Sequence, residues 1–147
     1  MLKVKLLTDT AKMPAIGHPG EDLGYDLYAA ESAVIPPRGW VDIGSGVAAE
    51  FSLPHEDGLR FGFIVQEKSS YAKRKIFVMG GVIDSGYRGE IRIMLANVSD
   101  EEQVIKAGEK VANLIPIPVV ANKVMVVSDL TPSLRGESGF GSTGLND

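Results

Sequence analysis

The chain has 147 residues, 44% of them hydrophobic and 23% charged, with a formal net charge of −4. That is one domain's worth of ordinary globular sequence, long enough to bury a core without covalent staples. The absence of cysteine excludes a disulfide framework, a thiolate metal site and a thiol nucleophile, and the acidic balance gives no support to a non-specific nucleic-acid binder, which carries a basic footprint.

In the opening MLKVKLL, Leu2, Val4 and Leu6 alternate with Lys3 and Lys5, the period of two of a half-buried strand. The run is too short for a signal peptide, and no stretch approaches the roughly 20 apolar residues that span a bilayer. A cytoplasmic protein with no membrane association is expected. Phe61, Phe63 and Val65 alternate in the next clear strand. A turn or two of helix is predicted over 69–75, with Ser69 or Ser70 as its cap, and the Lys73-Arg74-Lys75 triplet there reads as a solvated face. Ile91, Ile93 and Leu95 mark another strand. Residues 111–120 read as a strand containing Pro116 and Pro118, neither of which can donate to a ladder, so an edge or an irregular course is expected.

Seventeen glycines and eight prolines punctuate these runs. Many short strands with almost no helix predict an all-β sandwich, jelly roll or barrel. There is no repeat and no internal linker. From Leu134 the chain changes character: LRGESGFGSTGLND has no periodicity and reads by composition as a flexible tail. The same residues suit a lid that grips phosphate, because glycine admits close backbone approach and Arg135 and the hydroxyls can bond phosphate oxygens. Phe140 has no core to join there, which fits stacking on a base.

Five blocks now stand in a fixed order: GYDLYAA at 24–30, KSS at 68–70, GVIDSGYRGE at 81–90, GEKVANLIPIP at 108–118 and RGESGFGSTG at 135–144. In this order they resemble the trimeric dUTPase family over nearly the full length. The resemblance implies a distorted jelly-roll β-barrel over residues 1–134, with a flexible Gly-rich arm over 135–147 that closes over the active site. It also implies a homotrimer whose sites draw motifs from more than one subunit, and hydrolysis of dUTP to dUMP and pyrophosphate with Mg2+.

Cleavage of a triphosphate requires an in-line water, neutralised charge and a stabilised leaving group. A carboxylate is the expected activator of that water. Asp84 matches the family's water-activating aspartate, although an Asp before Ser-Gly is by itself an ordinary turn residue. Asp26 matches a carboxylate that meets the metal-triphosphate through water, in keeping with the preference of Mg2+ for retained waters and phosphate oxygens. Gly81, Val82 and Ile83 match the hairpin, around 78–83, whose main chain reads uracil. Tyr87 matches the aromatic beneath the deoxyribose, which leaves no room for a 2′-hydroxyl. Lys68, Ser69, Ser70 and Asn113 match phosphate-side positions. Arg135, Phe140, Gly141, Ser142 and Thr143 match the arm, Arg135 gripping the γ phosphate and Phe140 stacking on uracil.

Two positions depart from the commonest family form. Lys68 stands for Arg and loses its bidentate fork; Asn113 stands for Gln and is one methylene shorter. Related dCTP deaminases need a glutamate ten residues after the aspartate of the third block, and Met94 occupies that position. A catalytically idle, nucleotide-binding regulatory trimer is the alternative from another class, since a fold alone does not settle activity.

Overall fold

The computed structural model describes residues 1–51, 59–120 and 122–137. Eleven strands and one short helix follow one another among them. They are β1 (Leu2–Leu6), β2 (Tyr25–Tyr28), β3 (Ala33–Ile35), β4 (Trp40–Gly44), β5 (Val47–Phe51) and β6 (Leu59–Glu67), then α1 (Ser69–Lys73). After the helix come β7 (Ile76–Met79), β8 (Val82–Ile83), β9 (Arg92–Asn97), β10 (Gln103–Ile105) and β11 (Lys110–Val120). All the pairings are antiparallel, in sheets ordered β2-β11-β6-β8, β4-β9-β7, β1-β5 and β10-β3.

The core follows from the alternation of side chains along the strands. In the β9 region Ile91, Ile93 and Leu95 are wholly buried, while Arg92, Met94 and Ala96 face outward. They join Ile43 of β4 and Ile76 of β7, and meet Leu27, Phe63, Val65 and Leu114 from the four-stranded sheet in one apolar cluster. Two inward faces thus share one core, a sandwich of the predicted all-β class. Each such side chain removed from water contributes about 1.5–3 kcal/mol before entropy is set against it.

The two prolines of β11 occupy an edge in one half of an inner strand. Val65 donates to the Gly81 carbonyl, away from β11, so its partner Leu114 turns its own backbone away from β6. Pro116 and Pro118 share that parity and therefore face the β2 side, where pairing has ended at Leu114↔Tyr25. Their missing N–H groups cost no ladder bond there.

Two expectations are corrected. The helix is capped by neither serine: Lys68 is the N-cap residue, with extended backbone and no side-chain cap bond, and the helix stops at Lys73. Lys75, at φ 60, turns the chain out of it. Residues 78–83 do not form a hairpin. β7 pairs with β9 and β8 pairs with β6, so the segment crosses from one sheet to the other. Gly80, at φ 60, and Gly81 make the crossing, and a Cβ on Gly81 would lie 2.2 Å from the Val65 carbonyl oxygen. Only glycine lets the two backbones approach so closely.

Candidate functional site

Asp84 leaves the end of β8 in a turn closed by the Tyr87 N–H on the Asp84 carbonyl, at 3.0 Å. Arg88 holds that turn in shape. Its Nη1 donates to the carbonyls of Ser85 and Tyr87, each at 2.9 Å, and its Nε meets Glu50 of β5 at 2.9 Å. The Asp84 carboxylate is exposed and has no hydrogen-bond partner among the described residues, so the side-chain capping expected of an ordinary turn aspartate is not what occupies it. Tyr87 folds back over Gly89 and donates from its hydroxyl to the Glu90 carbonyl at 3.0 Å.

Asp84 and Tyr87 line a cleft of about 320 Å3 together with Gly80, Val82 and Ile83. Its far wall is the outer face of the β4-β9-β7 sheet: Asp42, Arg92 and Met94, with Glu90 at the rim. Arg92 bridges Asp42 at 2.8 Å and Glu90 at 3.1 Å, and Glu90 Oε1 accepts the Gly46 N–H at 2.8 Å. Hydrogen bonding to Asp42, with the charges of Asp42 and Glu90, raises the Arg92 guanidinium above its ordinary pKa. This chain of pairs fixes the wall opposite Tyr87.

A second cleft, of about 340 Å3, opens beside β2 and β11 and contains the other predicted side chains. Asp26 sits opposite Asn113 in the β2–β11 ladder and is 6% exposed. One carboxylate oxygen accepts from Lys68, and the other from Lys110 at 2.7 Å. Burial pushes the Asp26 carboxyl up, but the hydrogen bonds and charges of Lys110 and Lys68 outweigh it and hold it below the ordinary carboxylate value. The bond to Asp26, then its charge, raises the Lys110 ammonium in return. His18 and Asp22 complete the rim, with Asp22 Oδ2 accepting the His18 N–H at 2.9 Å. Ser69 and Ser70 lie exposed on the first turn of α1, beside Lys68. Below them Tyr71 is buried, donates to Glu109 at 2.7 Å and carries Arg74 over its ring, which anchors the helix.

The predicted residues therefore fall into two groups. Val82, Ile83, Asp84 and Tyr87 share the first cleft, with Gly81 beside them in the sheet crossing; Asp26, Lys68 and Asn113 share the second. Among the described residues, none lines both. Arg135 lies in the exposed stretch after β11, while Phe140, Gly141, Ser142 and Thr143 lie outside the described residues. Lys110, His18 and Asp22 in one cleft, and Asp42 and Arg92 in the other, escaped the sequence reading. Lys110 had a signal, since it stands three residues before Asn113 in the same block; Asp42 and Arg92 are joined only by strand register.

A family profile described as dUTPase matches residues 9–144. The chain is 37% identical over 144 residues to the deoxyuridine 5′-triphosphate nucleotidohydrolase of Paramecium bursaria Chlorella virus 1, covering 98% of each chain. It is 40% identical over 147 residues to the enzyme of the same name from Clostridium acetobutylicum, covering 98% of this chain and 97% of the other. Among solved structures, the dUTPase of Staphylococcus bacteriophage 80alpha with dUpNHpp superposes with a TM-score of 0.84 at 27% identity, covering 99% of both chains.

Proposed function

The chain belongs to the dUTPase family, and we propose that it hydrolyses dUTP to dUMP and pyrophosphate, with Asp84 activating the water that attacks the α phosphate. The observation that carries this reading is the Asp84 carboxylate. It is exposed, without a partner among the described residues, and held on a clamped turn beside Tyr87 in a cleft also lined by Gly80, Val82 and Ile83. A positioned carboxylate with its lone pairs open to solvent can take a proton from water.

The first cleft suits the nucleoside. Main-chain groups around Gly81, Val82 and Ile83 read the uracil edge, and a donor or acceptor left unpaired by the wrong base costs about 1–3 kcal/mol. Tyr87 packs under the deoxyribose, where a 2′-hydroxyl would meet its ring. Met94 on the opposite wall offers no proton, which disfavours deamination at the same place.

The second cleft suits the triphosphate, through Lys68, Ser69, Ser70 and Asn113. Asp26 is its buried carboxylate, and both oxygens already accept from ammonium groups. A direct metal ligand at either oxygen would press the ion against a lysine. Each oxygen retains a lone pair for a water, so the donor set fits Mg2+ that arrives on the phosphates and keeps its waters. When bound, Mg2+ supplies neutralisation of phosphate charge.

Since the two groups of side chains lie in separate clefts of one chain, a complete site forms when the nucleoside cleft of one subunit meets the phosphate cleft of its neighbour in a homotrimer. The exposed apolar run Val124 (96%), Met125 (79%) and Val126 (96%) supports burial against another subunit. The arm at 135–147 then closes the site, Arg135, Ser142 and Thr143 on phosphate and Phe140 on the base, with the amide of Gly141 between them. A cytoplasmic setting belongs to the same reading.

The test is pyrophosphate release with Mg2+ from dUTP, dCTP, dTTP and UTP, with the product bases identified. Release from dUTP alone, yielding dUMP, is expected. Tight dUTP binding without release would replace this reading with that of a regulatory nucleotide-binding protein.

A further inference from the structure

The turn that carries Asp84 is held from outside, by a strand that lines neither cleft. A Cβ placed on Gly86, at the tip of the turn, would meet nothing within 4 Å, so no neighbouring side chain packs it into shape there. The hold comes from Arg88, whose Nη1 donates to the carbonyls of Ser85 and Tyr87, each at 2.9 Å. A guanidinium is a rigid planar fork, so the direction of all its N–H groups is set once one edge is fixed. For Arg88 that edge is Nε, paired with Glu50 Oε2 at 2.9 Å. Register puts Glu50 in place. The Ile91 N–H donates to the Val47 carbonyl at 2.8 Å; three steps back from Ile91 and three on from Val47 bring Arg88 level with Glu50. Glu50 is steadied in turn by Lys3, which stands opposite it in the β1–β5 ladder and meets Oε1 at 3.0 Å. Both carboxylate oxygens are thus engaged. The bond to Lys3, then its charge and that of Arg88, hold the Glu50 carboxyl below its ordinary value.

We propose that Glu50 is a positioning residue for the Asp84 carboxylate, acting through Arg88. The proposal rests on the reading of Asp84 as the group that activates water. Neither Glu50 nor Arg88 lines the nucleoside cleft, so both act from behind it. With Glu50 in place, the guanidinium presents one nitrogen to two carbonyls of the turn, and Asp84 leaves β8 at a fixed angle beside Tyr87. Without it, a long exposed side chain regains its rotamers, and that entropy competes with the bonds to the carbonyls. The turn then samples orientations in which the Asp84 oxygens miss the water. A general base has to sit within hydrogen-bond reach of the proton it takes, and a misplacement of about 1 Å can cost roughly a hundredfold in rate. Exposed ion pairs add little to the stability of a fold, so the chain Lys3–Glu50–Arg88 contributes more to the geometry of this turn than to the stability of the sheet.

The test compares the wild-type enzyme with Glu50→Gln, Lys3→Met and Arg88→Met. Three quantities are read: dUTP turnover, affinity for a dUTP analogue with nitrogen in place of the α–β bridging oxygen, and Tm. Glu50→Gln is expected to lower kcat about tenfold to a hundredfold, with analogue affinity and Tm at wild-type values. Lys3→Met breaks the other half of the bridge, leaves Arg88 paired and is expected to keep kcat. Added to Arg88→Met or to Asp84→Asn, Glu50→Gln is expected to cause no further loss, because its effect runs through both residues. In the pH profile of kcat the plateau should fall without displacement of the acid limb, since geometry and not local charge is altered. An unchanged kcat in Glu50→Gln, an equal loss in Lys3→Met, or parallel losses of kcat and Tm would each overturn the proposal. So would a displaced acid limb with the plateau intact, or a full further loss in either double variant. In all of these cases dUTP hydrolysis by the wild type stands. Failure of the wild type to release pyrophosphate from dUTP would overturn the functional reading, and this proposal with it.

Discussion

Gly89 and Tyr87 exclude one another's atoms: a Cβ on Gly89 would lie 2.5 Å from the Tyr87 hydroxyl and 2.7 Å from its Cζ. The tyrosine occupies the volume that a side chain at 89 would fill, and its hydroxyl is anchored on the next residue's carbonyl. Gly89→Ala should therefore push the Tyr87 ring out of its seat without disturbing the core, since the contact is with the movable end of a side chain. Steady-state kinetics with dUTP and UTP would read this as a fall in the preference for the deoxy sugar of about tenfold, with little change in Tm. A preference that survives would mean that Tyr87 does not select the sugar.

Asp84→Asn keeps the shape of the turn, because Arg88 and the Tyr87 N–H hold it through backbone carbonyls and not through the carboxylate. The turnover rate should drop about a hundredfold to ten-thousandfold, the usual worth of a general base, while calorimetry finds the dUTP analogue still bound. Loss of binding along with turnover would assign Asp84 a structural role.

The Asp26 pairs give stability a defined pH dependence. Asp26 titrates lower in the folded protein than its ordinary value of 3.8, so its contribution is complete above that value. It is lost as the pH falls through the lower folded-state pKa, because the folded state then has to take up a proton at the expense of two ion pairs. Thermal melts of the wild type and Asp26→Asn should differ most near neutrality and converge once the pH falls below the lowered folded-state pKa of Asp26. A gap that stays constant down to the acid limit would show that the lysine pairs do not stabilise the fold.

Lys75 leaves α1 at φ 60, a conformation that L-residues other than Asn and Asp adopt at a cost. Lys75→Gly should stabilise the protein by about 1 kcal/mol and raise Tm by about 2–4 °C. Residue 75 lines neither cleft, so kcat should not move. A lower Tm would mean that the Lys75 charge near Asp100 outweighs the backbone strain.

Much of this protein was legible before any coordinates. The alternation of Ile91, Ile93 and Leu95, the turn of helix after Lys68 and the edge position of Pro116 and Pro118 are local consequences of side-chain period and missing donors, which a chain displays in one dimension. The five ordered blocks named the family, and with it Asp84 and Tyr87, which fold into a single cleft.

What the sequence could not decide was every relationship that depends on register between distant strands. Residues 78–83 look like a hairpin, yet their strands take partners in different sheets, because Gly81 lets the Val65 backbone within contact distance. Arg92 meets Asp42 fifty positions away only because β4 and β9 pair as they do. Lys110 reads as a core-side residue by alternation from Asn113, and one inserted residue reverses its face. The division of the predicted residues between two clefts likewise belongs to the tertiary structure. A strand's period of two is written in its own residues, but its partner, its register and its bulges are settled by the packing of the whole sheet.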